Sequence, residues 1–447
     1  MKRSLSLLAL YYFRSLAQLQ LKKNNPIIIG ITGSAGKTST LQACEAVLKN
    51  YFSLKVSHKA NSESGIPLDI LGLHPTSFSL LSWVTLAVQA PLQLLFHWPK
   101  FQIYLVEMGI DSPDEPKNMS YLLKIIKPTV GIFLNAGPVH AEPFDHLISE
   151  SDPDKRRTAL IQLIAQEKGK LLQAIPEPGF AIANADDTAV FSQLKKSKGQ
   201  QISFGKSKES DVVISVANWK ENSTEFQFKY NDNSTKISIK EHILPEMYSY
   251  SFAAALACGI SQGLSLEQAA QSLTDNMNVP PGRSSLIPAI NGATIIDSSY
   301  NASTGPMIDM LQLLKKVPGK RKLALLGDMR EIGAVAAHEH LLVALEAAKI
   351  CDKVFLVGPL THQHILPVLE SKKIPVEWFK NAFEAAAAIQ PQLKKDDILL
   401  VKGSQNTLLL EIAVEKLMAD PTKANELLCR RGEHWNVQRN QLIIQHR

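Results

Sequence analysis

A glycine-rich stretch near the start of the chain carries the residue types that bind a chain of phosphates. It reads "GITGSAGKTS" over residues 30–39 and follows three consecutive isoleucines, which predict a buried strand. Glycines let backbone N–H groups turn toward an anion, Lys37 can neutralise the outer phosphates, and Thr38 offers a hydroxyl to Mg²⁺. Gly30 stands one residue earlier than the first glycine of a strict Walker A motif, so the extra Gly33 makes this a variant loop. The loop alone leaves hydrolysis, phosphoryl transfer and ligation open.

Three further polar residues lie at or beyond predicted strand ends and on a nearby helix. Glu107 ends the apolar run "YLVEMG" and can coordinate Mg²⁺, although an ordinary exposed acid fits the same position. His140 lies in "LNAGPVHAEPF", where a structural histidine is the commoner occupant. Lys168, in "AQEKGKLL", is on a predicted helix and by itself is typical of a solvated surface lysine.

The elements that must position these residues alternate between strands and helices. Apolar runs at 103–109, 129–137 and 180–187 predict strands, and the segments between them predict helices. This alternation predicts an α/β fold in which a central P-loop ATPase domain has a mostly parallel sheet. Residues 211–239 alternate polar and apolar types, which predicts an antiparallel edge or subsheet.

A domain boundary is predicted at "NVPPGRSS", residues 278–285, where two prolines and a glycine break the pattern. Five short strands follow, in "ATIID", "KLALLGD", "KVFLVG", "VEWF" and "DILLVKG", each separated by a helix-length segment. They predict a C-terminal Rossmann-like α/β domain, to which no dinucleotide is assigned because no GxGxxG follows its first strand. The predicted organisation is an amphipathic helix at 1–25, the ATP-binding domain at 26–278 and the C-terminal domain at 279–447.

Composition narrows the class of protein. The 447 residues are 45% hydrophobic and 20% charged, with a net charge of +6, and no lysine- and arginine-dense stripe predicts nucleic-acid binding. Four cysteines without CxxC pairing fit a reducing cytoplasm and predict no cysteine metal site. The apolar run at 80–98 is too polar and too broken to predict a transmembrane span. Packing within the fold is the favoured interpretation for this run, and peripheral contact with a membrane surface is the alternative.

Taken in order, the motifs resemble those of the Mur ligase family, within it the branch that adds D-alanyl-D-alanine to a UDP-N-acetylmuramoyl tripeptide. The resemblance covers residues 26 to about 420. The stretches that carry it are "GITGSAGKTS", "KANSESGIP" (59–67), "EMG", "LNAGPVHAEPF", "EKGKLL", "NADD" (184–187), "PPGR" (280–283), "DSSYNAS" (297–303), "LGDMREIG" (326–333) with His338, and "LLVKGSQ" (399–405).

The resemblance implies ATP and Mg²⁺ as cofactors and an acyl-phosphate route to an amide bond. It implies small-molecule substrates, namely a cell-wall precursor peptide and D-Ala-D-Ala, and a monomeric cytoplasmic enzyme. Lys37, His140 and a carbamylated Lys168 would be catalytic. The implied magnesium ligands are Thr38, Glu107, His140 and the Lys168 carbamate, and the implied nucleotide contacts are Gly33, Ser34, Gly36, Lys37, Thr38, Ser39, Arg283, Asp297 and Asn301.

The chain departs from the family pattern in several places. The family branch usually has an N-terminal domain that grips UDP, whereas about 25 residues precede the first predicted strand here. Tyr248 and Ser249 replace a His-Asn pair directed toward adenine, Ser298 replaces the second of two acids, and Gln405 stands where arginine is common. Different adenine and ribose contacts are therefore expected.

Three alternatives remain open. The first is a ligase of the folylpolyglutamate synthase type, against which "EMG" and "GPVHAEPF" argue. The second is a Mur-ligase-like enzyme acting on a lipid-linked cell-wall precursor, which usually has a four-cysteine zinc site that this chain lacks. The third is a nucleotide-binding scaffold without catalysis, against which the intact Lys37, Glu107 and Lys168 argue.

Overall fold

The computed structural model describes residues 2–58, 60–75, 79–97, 99–220, 223–240, 242–403 and 408–445. Lys59 and Gln405, both part of the motifs above, lie outside these ranges. The chain divides into two compact units. The first consists of Met1–Val216, Phe226–Ile237 and Tyr248–Met277, and the second of Ala217–Glu225, Ser238–Met247 and Asn278–Arg447.

A nine-stranded sheet organises the first part of the chain. Its order is β2-β3-β1-β4-β5-β6-β7-β8-β9, and the pairs from β2 to β7 are parallel. The strands are β1 (Ile27–Thr32), β2 (Leu54–Val56), β3 (Ile103–Glu107), β4 (Val130–Phe133), β5 (Phe180–Asn184), β6 (Gln200–Gly205), β7 (Val212–Lys220), β8 (Ser223–Tyr230) and β9 (Asn233–Lys240). The predicted α/β class with a mostly parallel sheet is confirmed.

Helices connect these strands and cover the sheet. Their sequences bury apolar residues against it, as α2 does with Leu41, Val47 and Leu48. The helices are α1 (Lys2–Asn24), α2 (Lys37–Leu48), α3 (Gly65–Ile70), α4 (Leu80–Phe96), α5 (Met119–Ile125), α6 (Pro153–Gln173), α7 (Thr188–Leu194), α8 (Met247–Ser261) and α9 (Leu266–Asn276).

The second unit is built on a six-stranded sheet of order β10-β11-β15-β12-β13-β14. The five predicted strands are all present and parallel, and the sequence analysis missed β10, which pairs antiparallel with β11. The strands are β10 (Ser285–Pro288), β11 (Thr294–Asp297), β12 (Arg321–Gly327), β13 (Lys353–Val357), β14 (Val376–Phe379) and β15 (Asp397–Lys402). The helices are α10 (Thr304–Lys316), α11 (Ala336–Ile350), α12 (Pro359–His364), α13 (Leu366–Ser371), α14 (Ala382–Ile389), α15 (Glu411–Leu417), α16 (Ala424–Leu427) and α17 (Glu433–Gln445).

The two apolar segments singled out from the sequence, α1 and α4, pack against each other. Phe13 of α1 and Trp83 of α4 have ring centroids 5.9 Å apart, and the Tyr12 hydroxyl donates to the Ala87 carbonyl at 2.8 Å. Helix α4 continues through Pro91 without a break. Among the described residues, no helix has the length and apolar content that crossing a bilayer requires.

Candidate active site

The predicted phosphate loop connects β1, an interior strand of the first sheet, to the helix that follows it. Strand β1 lies between β3 and β4 in parallel register, so the carboxyl ends of these strands lie at one edge of the sheet. The loop leaves β1 after Thr32, and α2 begins at Lys37. Gly36 has a φ of 80°, a left-handed conformation that residues with a side chain rarely adopt. The loop thus ends at a helix N-terminus, where backbone N–H groups favour an anion.

Residues at the end of β4 hold the loop in shape. The Asn135 side chain accepts a hydrogen bond from the Ala35 N–H at 2.8 Å and donates one to the Ala35 carbonyl at 3.1 Å. The Ser34 hydroxyl donates to the Gly137 carbonyl at 2.9 Å and accepts from the Gly137 N–H at 2.8 Å. The loop is therefore fixed by side-chain contacts between two neighbouring strand ends.

The first turn of α2 presents the residues that would meet an outer phosphate. The Lys37 ammonium donates to the Gly33 carbonyl at 2.7 Å, so this side chain folds back across the loop. Thr38 is half-buried and Ser39 is buried in the same turn. A side chain at Gly33 would bring its Cβ to 3.0 Å from the Leu134 Cβ, which explains why the loop needs glycine there.

Acidic and imidazole side chains lie beyond the adjacent strands. Glu107 is the last residue of β3, and its side chain is mostly buried. His140, in the loop after β4, has a φ of 53°, and its Nε2 lies 3.8 Å from Oδ1 of Asp111, which follows β3. The two loops therefore bring Asp111 and His140 together at the edge where the phosphate loop lies.

Lys168 is a buried lysine of α6 beside the phosphate loop. Only 3% of its surface is exposed. Burial, and next the positive charge of nearby Lys37, lower the pKa of Lys168 well below its usual range, while Asp111 and Glu167 partly oppose this shift. The interpretation of Lys168 as an ordinary solvated lysine is therefore wrong. Burial of this kind disfavours the protonated ammonium and so favours the neutral, nucleophilic amine.

Contacts of the neighbouring Glu167 fix this part of α6. Its Oε1 accepts the backbone N–H of Met119, the first residue of α5, at 3.0 Å. Its Oε2 accepts from the Lys170 ammonium at 2.5 Å. Because Glu167 has both oxygens engaged, the helix holds Lys168 in a defined position.

Within the described ranges, no group of three or more histidine, cysteine, aspartate or glutamate side chains is arranged to hold a metal ion. The donors near the loop are instead hard oxygen atoms, on Thr38 and Glu107, together with a carboxylate that carbamylation would create on Lys168. Mg²⁺ prefers oxygen ligands, retains several waters and usually binds one or two carboxylates together with substrate phosphates. The residues present therefore fit a magnesium ion that binds with a phosphate ligand.

In the second unit, Asp297 ends β11 and is fully buried. Its Oδ1 accepts the Ser299 N–H at 3.0 Å, while its Oδ2 has no hydrogen-bond partner in the part of the chain that the structure describes. Burial raises the pKa of Asp297 above its usual range, opposed by the Ser299 hydrogen bonds and by the charges of Arg430 and Lys402.

Lys402 ends β15, the strand next to β11, and is also buried. Its ammonium donates to the Asn301 carbonyl at 2.9 Å and to the Ser298 hydroxyl at 3.2 Å. Burial, and next the charge of Arg283, lower the pKa of Lys402 to about 7. Through these two hydrogen bonds, Lys402 holds the predicted "DSSYNAS" loop in place.

Two arginines flank the same loop. The Arg283 guanidinium lies 4.4 Å from the centre of the Tyr300 ring, a cation–π distance. The buried Arg430 donates to Glu411 at 2.9 Å and to the Tyr300 carbonyl. The loop that carries Asn301, whose side chain is exposed, is therefore held by buried ionic contacts.

Several residues of these sites escaped the sequence analysis. Asn135 lies within a quoted motif but was given no role, although a polar residue directly after an apolar strand signals a loop contact. Lys402 likewise ended a predicted strand. His340, rather than the highlighted His338, is the buried histidine after β12: its Nε2 accepts the Met329 N–H at 3.2 Å, and burial lowers its pKa.

The replacement of the His-Asn pair has a structural counterpart in α8. Tyr248 and Ser249 are both buried, and the Tyr248 ring packs on Phe252 at 5.9 Å between centroids. The next residue, Tyr250, is half-buried and donates from its hydroxyl to Asp186 at 2.9 Å. At this end of α8, a buried tyrosine and a buried serine thus occupy the positions of the His-Asn pair.

Comparison with known proteins gives two family matches. The family model of the Mur ligase middle domain matches residues 31–259, and that of the Mur ligase glutamate ligase domain matches residues 282–405. Among curated relatives, the UDP-N-acetylmuramoyl-tripeptide–D-alanyl-D-alanine ligase of Rickettsia prowazekii is 28% identical over 390 residues, which is 86% of this chain and 76% of that protein. The enzyme of the same name from Escherichia coli is 25% identical, over 86% and 75% of the two chains.

Solved structures share the fold. The MurF ligase of Thermotoga maritima in complex with ADP has a TM-score of 0.72 and 23% identity, covering 91% of this chain and 83% of that one. MurF from Acinetobacter baumannii also has a TM-score of 0.72, with 21% identity and coverage of 91% and 80%.

Proposed function

The chain belongs to the Mur ligase family, whose middle-domain model spans more than half of it, and on this premise we propose that it is an ATP-dependent ligase that forms an amide bond between a carboxylate and an amine. The family predicted from the motifs is confirmed. The substrates are a UDP-N-acetylmuramoyl tripeptide and D-Ala-D-Ala, because the curated relatives that match most of the chain carry that activity in their names.

One observation supports this function above all: a buried lysine with a lowered pKa lies beside the cation of a phosphate loop. A hydrolase or a scaffold needs Lys37 at most, and burying a second lysine next to it is unfavourable. The neutral Lys168 amine can attack CO₂, form an N–C bond and release one proton, which leaves a carbamate. That reaction places a negative charge near the Lys37 cation, which disfavours a positive charge on Lys168.

The proposed reaction has two steps. A carboxylate oxygen of the tripeptide attacks the γ-phosphorus of ATP, the bond to the bridging oxygen breaks, and an acyl phosphate and ADP form. The amine of D-Ala-D-Ala then attacks the acyl carbon, loses a proton and displaces inorganic phosphate. Lys37 and the N-terminus of α2 stabilise the charge on the phosphoryl oxygens in the first step.

Magnesium, when bound, neutralises phosphate charge and orients the γ-phosphoryl group. Thr38, Glu107 and the Lys168 carbamate would hold it, with His140 near the same edge. Asp111 orients His140, and Asn135 keeps the loop in its phosphate-binding shape. Gly33, Ser34, Gly36 and Ser39 line the loop, and we assign the nucleotide contacts of the second unit to Arg283, Asp297 and Asn301.

We further propose that the main division of function follows the predicted domains: residues 26–278 bind the phosphates of ATP, and residues 279–447 hold the amine in addition to the nucleotide contacts just assigned. The carboxyl ends of β12 and β15 support the assignment of the amine, because ligands bind outside the carboxyl ends of parallel strands. The enzyme is proposed to act as a monomer in the cytoplasm and to make a peripheral contact with the membrane surface.

A substrate panel tests this function. Purified protein is incubated with ATP, Mg²⁺, UDP-N-acetylmuramoyl tripeptide and one amine at a time, and mass spectrometry identifies the product. D-Ala-D-Ala should give an adduct and stoichiometric phosphate, and omission of the tripeptide should abolish phosphate release. Better turnover of L-glutamate with a folate acceptor, or product only with a lipid-linked acceptor, would replace the proposal with the corresponding alternative.

A further inference from the structure

The outer sides of α1 and α4 form a continuous apolar surface on the first unit, called here the α1/α4 face. Tyr12 joins the two helices, since it is partly exposed and donates to the Ala87 carbonyl of α4. The exposed apolar residues of the face are Leu7, Leu8, Tyr11, Tyr12 and Leu19 on α1, and Leu81, Val84, Val88, Leu92, Leu95 and Phe96 on α4.

The outward residues of α4 recur at the spacing of one helix face. Leu81, Val84, Val88, Leu92 and Leu95 are three or four positions apart, so they form a stripe along the helix. Leu81 is 76% exposed and Val88 is 61% exposed. The opposite side of the same helix is apolar too, because Leu86 and Ala90 are buried against the unit.

An ordinary surface helix is polar on its outward side, whereas on α4 the exposed polar residues Thr85 and Gln89 lie among more numerous exposed apolar ones. A helix that is apolar all round is normally covered by protein or by lipid. Contiguous exposed apolar patches on soluble proteins mark interaction surfaces. The α1/α4 face therefore needs an occupant, and its charges indicate which kind.

The sequence around the face contains cations and no carboxylates. Residues 1–44 and 70–106, which include both helices, have no aspartate or glutamate. The same segments contain seven lysines and arginines, at positions 2, 3, 14, 22, 23, 37 and 100. Lys22 is exposed in the last turn of α1, and Lys100 is exposed just after the end of α4. An apolar stripe bordered by cations is complementary to anionic phospholipid headgroups above an acyl region.

From this complementarity we propose that the α1/α4 face docks on the surface of an anionic phospholipid bilayer. The stripe on α4 enters the boundary between headgroups and acyl chains, and Lys22 and Lys100 contact lipid phosphates. Docking is parallel to the surface, as suits helices that do not meet the requirements for a membrane span within the described residues.

Helix α1 has direct contacts with the rest of the first unit. When the α1/α4 face docks on the bilayer, the phosphate loop would therefore be brought to the bilayer as well. The Gln18 side chain donates to the Lys124 carbonyl of α5 at 2.5 Å, and α5 begins at Met119, whose N–H is held by Glu167 beside Lys168. The buried Phe13 and Ala17 of α1 add apolar packing. The docked element is therefore part of the ATP-binding unit and not a separate tail.

Vesicle flotation with the full chain tests the proposal without relying on ligase activity. The wild type should float with vesicles containing phosphatidylglycerol, and several-fold less with phosphatidylcholine alone. In ~1 M salt, where the screening length is about 3 Å, binding to anionic vesicles should fall to the phosphatidylcholine level. Replacement of Lys22 by glutamine should weaken binding about fivefold, the effect of one cation near an anionic surface.

Charge placed on the stripe gives the decisive comparison. Val88→Glu should reduce the vesicle-bound fraction about tenfold or more, because a carboxylate would enter the apolar boundary. Val437→Glu on α17 is the matched control, since Val437 is 53% exposed but lies in the second unit, and it should bind like the wild type. Leu81→Glu, at the most exposed end of the stripe, repeats the test should Val88→Glu fail to fold.

Other results would overturn the proposal. Failure of the wild type to float with anionic vesicles would do so, as would undiminished flotation of both stripe variants. Light scattering adds a third outcome: a wild-type dimer that Val88→Glu converts to a monomer, without vesicle binding by either protein, would assign the face to a second copy of the chain. Whichever of these results is obtained, retained phosphate release by Val88→Glu would show that the active site of the variant is intact.

Discussion

Replacement of Lys402 by methionine should change how the stability of the protein depends on pH. Methionine keeps the length and apolar stem of the side chain but has no amine to titrate. In the folded protein the pKa of Lys402 is about 7, whereas an unfolded lysine has a pKa near 10.5. Between these values the unfolded chain binds more protons than the folded one at this position, so the folded state gains stability as the pH rises.

The size of the effect follows from the two pKa values. Each pH unit between them is worth about 1.4 kcal/mol, and near pH 7 the slope is halved because the folded amine is half protonated. From pH 7 to about pH 9.5 the wild type should therefore gain about 3 kcal/mol relative to Lys402→Met. The lost hydrogen bonds to Ser298 and Asn301 shift the variant's stability at both pH values and leave this difference in place.

Urea unfolding of both proteins at the two pH values measures the difference. Lys349→Met is the control for the substitution itself, because the Lys349 side chain is 70% exposed. A wild-type advantage over Lys402→Met that stays constant within about 0.5 kcal/mol would refute the reasoning, since it would mean that Lys402 remains protonated when folded.

Further predictions concern the phosphate loop. Lys37→Ala should abolish ATP-dependent phosphate release while the circular dichroism spectrum is retained, whereas the control Lys49→Ala at the end of α2 should keep full activity. Lys168→Ala should be nearly inactive and partly rescued by small carboxylates such as acetate; full activity without them would return Lys168 to a structural role. Asn135→Leu removes two hydrogen bonds to the loop, about 1 kcal/mol each, and should raise the KM for ATP roughly 30-fold in a steady-state phosphate assay.

The parallel sheets and the position of the phosphate loop were predictable because their signals are local. The isoleucines of β1, the glycines after it and Lys37 at the start of α2 all lie within a short stretch. Strand β10 was missed because four residues after a proline-rich turn have no periodicity that distinguishes them from a loop. Its strand character comes from pairing with β11.

The electrostatic properties of the site were not predictable from local patterns. Lys168 looks like a solvated lysine in its own helix, and only the packing of α6 beside the phosphate loop buries it against Lys37. Which side of α4 faces the first unit could not be predicted from the sequence for a related reason. Since the helix is apolar on both sides, its periodicity cannot indicate which side faces the unit, and its contact with α1 decides this.

The interior position of β1, between β3 and β4, has a consequence for the order in which the chain acquires structure during synthesis. Its hydrogen-bonding neighbours, β3 and β4, begin at Ile103 and Val130, so the strand emerges from the ribosome long before either partner exists. Until then the isoleucines at 27–29 are exposed in a nascent chain as an unpaired, strongly β-forming segment. Such long-range parallel pairing is slow and vulnerable to aggregation. Both neighbours of β1 are complete only when residues 1–133 have been synthesised. We therefore expect a shorter ribosome-bound chain to depend on chaperones.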